Sequence, residues 1–189
     1  MSALDKFHTI LRQGETTTEE ALELFDALDT VALDFIMGRC KGSGLKTNHR
    51  MDGLLETIGW YGKDFISPDC VHPLLFSDGT NQPYKIDPNP IAVNLGFSLD
   101  LPQRQALKPL YRVMSKLLKT DESKARVRMM EYRGKFSATM IYDYLPINDV
   151  FRKVDDHTLL GLMDFKGMEQ PFFFILNRDL LNRDVLTRD

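Results

Sequence analysis

Few side chains able to do chemistry stand in an arrangement that chemistry would use. The histidines, His8, His49, His72 and His157, form no HExxH motif and no paired spacing, so no metal site is indicated. Cys40 and Cys70 lie outside any CxxC context. No GxSxG elbow occurs, no GxGxxG opens a helix, and Gly38–Gly44 lacks the Gly-Lys-Ser/Thr ending of a phosphate loop. No catalytic residue, metal ligand or cofactor is therefore assigned. What remains is recognition chemistry, centred on Arg152 in the otherwise apolar run around Val150 and Val154. A buried guanidinium must find an anion or several acceptors. With Tyr142, Arg152 could grip a carboxylate or similar head group. The alternative is an internal ion pair with Glu131, Asp149 or Asp164.

These residues need a sheet to position them. The chain reads as β over Ala125–Arg133, Lys135–Asp143, Asp149–Asp155, Thr158–Phe165 and Pro171–Asn177, each junction carrying turn chemistry. Links this short make antiparallel neighbours, and closure into a small barrel removes exposed edges. If Arg133-Gly134 is a two-residue turn, Tyr132 pairs with Lys135. Val127, Met129 and Glu131 then share an inward face with Phe136, Ala138, Met140 and Tyr142. A turn at Asp156-His157 pairs Arg152 with Gly161 and Val150 with Met163, on the same inward side. Phe151, Leu160 and Leu162 lie on the opposite face, which helices should cover. Met129, Met140 and Met163 would give an adaptable, apolar lining.

Upstream, Met1–Gly14 reads as a loose or weakly helical leader. Thr16-Thr17-Thr18-Glu19-Glu20 is a helix start, with Ala21, Leu22, Phe25 and Leu28 on one stripe and an end near Asp29. Thr30–Cys40 reads as a strand broken at Gly42-Ser43-Gly44, and Asp52 as the cap of a short helix over Gly53–Ile58. Trp60 and Tyr61, between two glycines, are either a lid over the pocket or a packed anchor. The spacing from Leu107 to Leu118 predicts an amphipathic helix within Arg104–Lys119.

A chain of 189 residues with 43% hydrophobic and 27% charged residues can bury a core without disulfides or metal. A net charge of −3 gives no general attraction to nucleic acid. The basic residues from Arg104 to Lys135 read as solvent-facing positions on a helix and a hairpin. No run of about eighteen apolar residues occurs, so no transmembrane helix is expected. The start of the chain lacks the apolar stretch of a secretory signal, so a cytoplasmic protein is expected.

Met37-Gly38-Arg39-Cys40-Lys41-Gly42-Ser43-Gly44, Asp52-Gly53-Leu54-Leu55 and Gly59-Trp60-Tyr61-Gly62-Lys63 resemble the GXWXXXG-domain proteins, which carry a C-terminal domain of unknown function, DUF4334. Glu131-Tyr132-Arg133-Gly134, Asp149-Val150-Phe151-Arg152 and Gly161-Leu162-Met163-Asp164 extend the likeness. The motif's tryptophan position holds Cys40. The pattern is similar to the GxW motif of calycins and to nitrobindin-type haem barrels. The resemblance implies an α+β protein, mainly antiparallel β: a small calycin-like β-barrel with a few short packing helices. It places a helical leader at 1–34, the barrel at 35–178 (a GXWXXXG-like part at 35–75, the meander at 125–178) and a tail at 179–189. The expected function is binding of a small hydrophobic or amphipathic ligand, lipid or fatty-acid-like. Its lining would be Arg152, Tyr142, Glu131, Val127, Met129, Phe136, Met140, Met163, Trp60 and Tyr61. The alternatives are a haem barrel with His157 or His49 as axial ligand, an enzyme with Glu131 or Asp143 as base, or an interaction module such as a homodimer.

Overall fold

The computed structural model describes residues 1–77, 83–88 and 117–179. Its elements run α1 (Ala3–Gln13), α2 (Thr18–Ala27), β1 (Asp29–Thr30), α3 (Leu33–Ile36), β2 (Gly38–Gly44), α4 (Leu54–Ile58), β3 (Trp60–Ser67), β4 (Cys70–Phe76) and β5 (Tyr84–Lys85). They continue with β6 (Ala125–Tyr132), β7 (Lys135–Tyr142), β8 (Ile147–Lys153), β9 (Thr158–Phe165) and β10 (Phe172–Arg178). Neighbours pair antiparallel in the order β8-β7-β6-β4-β3-β2-β10-β9, and β9 returns to β8, closing a barrel of eight strands. The two short strands are additions, β1 on β8 and β5 on β4.

Alternation along the strands builds two cores. Inside the barrel lie Phe65, Val127, Met140, Phe151 and Phe174. Outside, Val150, Leu160, Leu162, Phe173 and Ile175 meet Leu24 and Phe25 of α2 and Phe7 and Ile10 of α1. Both faces of the β8–β9 hairpin are thus apolar because helices cover one of them. Full burial of each such side chain is worth roughly 1.5–3 kcal/mol, which is why α1 is more than the loose leader expected. Its ends are also well made: Ser2 and Asp5 form a capping box, and Gly14 closes it in the left-handed region at φ 81°. Thr17 caps α2 as its sequence predicts, accepting from Glu20 N at 3.1 Å.

The β6–β7 hairpin has the expected register, Tyr132 opposite Lys135 and Val127 opposite Met140, with Arg133 and Gly134 both at positive φ. It does not follow the barrel along its whole length. Val31 wedges between β7 and β8: its N–H donates to Ser137 Oγ at 2.8 Å, and its carbonyl accepts from Ala138 N. Ser137 Oγ in turn donates to Phe151 O at 2.6 Å. The hairpin tip projects beyond this wedge.

Three expectations need correction. Thr30–Cys40 is not one strand, because α3 intervenes. The chain also runs straight through Gly42-Ser43-Gly44 in β2, where the indole of Trp60 lies across Gly42; a Cβ there would stand 2.1 Å from the ring. Asp52 does not cap α4, since its carboxylate accepts from Thr47 N and His49 N instead. The β8–β9 register is one residue from that predicted: Phe151, not Arg152, lies opposite Gly161, and Asp149, not Val150, opposite Met163. Val154 N and Asp155 N both bond Thr158 O, so the link is longer than a two-residue turn. A one-residue slip exchanges the faces of a strand. The helix expected within Arg104–Lys119 lies almost wholly outside the described residues.

Around the ring, β4 meets β6 at a single register pair, Val71 with Ala125. The Ser123 hydroxyl completes this junction, accepting from Val71 N at 3.1 Å and lying 2.9 Å from Ala125 O.

Candidate functional site

The register slip removes one charge from the barrel interior and supplies another. Asp149 faces inward from β8 and meets Lys63 of β3, Nζ to Oδ2 at 2.7 Å, with side chains 3% and 2% exposed. Lys63 reaches the interior because β3 is irregular, with register shifts on both sides of Gly62. Trp60 and Lys63, three residues apart, therefore both point inward. Only glycine fits at position 62: φ is 152°, and a Cβ would stand 2.0 Å from the carbonyl oxygen of Cys40.

The remaining ammonium protons of Lys63 have partners in Pro73 O at 3.2 Å and Tyr142 Oη at 3.5 Å. The rings of Trp60, Tyr142 and Phe174 stand 5.6, 5.6 and 5.1 Å from Nζ. Two buried polar atoms here have no partner among the described residues: Asp149 Oδ1 and Trp60 Nε1. Burial raises the Asp149 carboxyl above its ordinary value, while the charge and hydrogen bond of Lys63 pull it down. Burial, and then the charge of Asp149, push the Tyr142 phenol well up. The centre is a neutralised ion pair, walled by aromatic rings, with Asp149 Oδ1 as an open acceptor and the Trp60 N–H and Tyr142 hydroxyl proton as open donors among the described residues.

The expected site residues separate. Tyr142, Val127, Met140, Met163 and Trp60 line the interior. Tyr61 faces outward and donates to Asp179 Oδ2 at 2.7 Å. Met129, Glu131 and Phe136 lie on the face predicted, but on the projecting part of the hairpin; Phe136 is 62% and Met129 42% exposed. Arg152 is fully buried on the outer face, its guanidinium 4.5 Å from the ring of Phe25 under α2. It donates to Phe151 O and Tyr132 O, and Nε has no partner among the described residues. None of the three carboxylates considered for it pairs with it.

Of the histidines, His49 is committed at both ring nitrogens, Nε2 to Gln170 O and Nδ1 from Met51 N. His157 is exposed in the β8–β9 link. Glu131 and Asp143 are exposed, and Asp143 pairs with Arg126. In the basic cluster, Lys124, Arg126, Arg128 and Arg133 each pair with a carboxylate. Cys40 is fully buried inside the barrel, which pushes its thiol up to about 11. A cavity of about 400 Å³ outside the barrel is lined by Glu15, Thr16, Thr17, Lys46, Asn48 and Asp52. Among the described residues, no group of His, Cys, Asp and Glu is arranged to hold a metal, and no helix is long and apolar enough to cross a membrane.

Sequence reasoning missed Lys63 and Asp149 as partners. A lysine three residues beyond an inward aromatic reads as outward in a regular strand, and only Gly62 signals the irregularity that turns it in.

Comparison with known proteins supports the same frame. Residues 23–80 match the GXWXG protein family, and residues 123–178 match the domain of unknown function DUF4334. No curated protein matches the chain. A solved structure described only as a protein from Thermomonospora curvata is similar over 95% of this chain and 99% of its own, with 31% identity and a TM-score of 0.69. A closed barrel whose first strands match GXWXG and whose last five match DUF4334 identifies the chain as a member of the GXWXG/DUF4334 family.

Proposed function

We propose that the barrel binds a small amphipathic molecule, with its polar end at the Lys63–Asp149 pair and its apolar part against Val127, Met140 and Met163. The observation that carries this is the pair of polar atoms without a partner among the described residues, Asp149 Oδ1 and Trp60 Nε1, facing one interior from β8 and β3. Each such atom left unmet costs about 1–3 kcal/mol, and a guest that bonds both removes that penalty. Neither atom touches solvent, so a guest enters by displacing side chains. The methionines are suited to this, having unbranched, flexible thioethers.

Trp60 is the only tryptophan, so its emission reports on the site directly. Native mass spectrometry after gentle purification should show a co-purified small molecule, and titration with fluorescent apolar probes or aliphatic amphiphiles should change Trp60 emission. Repeated isolation of empty protein, with emission indifferent to every probe, removes the binding proposal.

A further inference from the structure

The open valences of the interior also define what the guest's head must be. We infer that this site, if it binds an amphiphile as proposed above, selects an uncharged head group that both donates and accepts a hydrogen bond, an alcohol or a primary amide, over a carboxylate or an ammonium. All three ammonium protons of Lys63 have acceptors already, in Asp149 Oδ2, Pro73 O and Tyr142 Oη. The lysine therefore has no proton left for an incoming anion. What stands open among the described residues is one acceptor, Asp149 Oδ1, and two donors, the indole N–H of Trp60 and the hydroxyl proton of Tyr142, whose rings both stand 5.6 Å from the same ammonium.

A carboxylate guest could accept from Trp60 but would set its own charge beside Asp149, in an interior that water does not reach; like charges brought together there repel strongly. An ammonium guest could donate to Asp149 but would face Lys63. It would also find the rings of Trp60, Tyr142 and Phe174 already arranged around that lysine. A hydroxyl or amide donates to Oδ1 and accepts from Nε1 without adding charge to a centre that is already neutral. The barrel thus excludes free fatty acids and takes the corresponding alcohols and amides.

The test uses the full chain at neutral pH and four single-chain amphiphiles of equal alkyl length: the alcohol, the primary amide, the carboxylate and the primary ammonium. Calorimetry should give the alcohol or amide an affinity at least about tenfold above both ions, the scale of one unmet buried hydrogen bond. Trp60→Phe removes the indole donor and keeps a ring in place; it should weaken the amide by about tenfold and so shrink its lead over the primary ammonium, which makes no use of that donor. Carboxylate binding tightest overturns the inference and leaves the binding proposal standing. Absence of binding by all four overturns both. Tight amide binding undiminished by Trp60→Phe refutes the assignment of the donor.

Discussion

Replacing Lys63 by Met retains the length of the side chain and removes its charge, leaving the Asp149 carboxylate buried without its counter-ion. At 2.7 Å separation and an effective dielectric of about 20, the gross attraction is about 6 kcal/mol. Desolvation of two ions opposes it by several kcal/mol each, so the intact pair adds little net stability. Breaking it from one side is different. Lys63→Met, or Asp149→Leu with the lysine kept, should each lose about 3–5 kcal/mol, whereas the double variant should match the parent or exceed it by about 1–4 kcal/mol. The midpoints of urea unfolding, with unchanged slope, measure all four species. Acid should narrow the deficit of Lys63→Met. The variant loses both influences that lower the Asp149 carboxyl, so the folded-state value climbs further above the unfolded one. A group raised in this way binds its proton more tightly when folded, so the deficit is full above the raised value and shrinks as pH falls through it. A double variant as unstable as the two singles combined, or a deficit that grows in acid, refutes this account of the barrel's centre.

Arg152→Met should change stability by no more than about 1 kcal/mol, or raise it, because among the described residues the fully buried guanidinium has an unmet Nε and no carboxylate partner. It should also leave the Trp60 emission response to amphiphiles intact, since Arg152 lies on the outer face; loss of that response would return the arginine to the site. Gly161→Ala puts a Cβ 2.4 Å from the ring of Phe174, which should lower stability by about 1–3 kcal/mol, read as a fall in melting temperature. Alkylating reagents at mildly alkaline pH should label the half-buried Cys70 and spare Cys40, whose thiol is pushed up to about 11, until denaturant is added. Equal labelling of both in the native protein would contradict the burial of Cys40.

What could be read in advance followed from local chemistry. Arg133-Gly134 is a dipeptide that accepts positive φ at both positions, so it fixed the β6–β7 register and with it the inward direction of Tyr142, Met140 and Val127. The link at Asp155-Asp156-His157 has no such constraint, because Asp and His fit turns of several lengths. One residue more or less there decides whether Arg152 or Asp149 enters the barrel. The peeling of the β6–β7 tip depends on Val31, distant in the chain, so Phe136, Met129 and Glu131 kept their face and lost their burial. The Lys63–Asp149 pair was hidden for the same reason: its halves lie on strands that meet only through closure of the ring.

The junction of β4 with β6 bears on how a sealed interior exchanges its contents. Eight register pairs join β6 to β7, whereas β4 meets β6 at one rung, supported by the hydroxyl of Ser123 and by the bonds of Lys124 N to Val71 O and Val127 N to Pro68 O. Tyr142 stands beside this line, opposite Ala125 in the ladder, and is one of the interior groups around Lys63. Parting the wall there separates fewer register pairs than at any other interface in the cylinder and opens it beside the polar centre. Traffic into the molecule would follow that line.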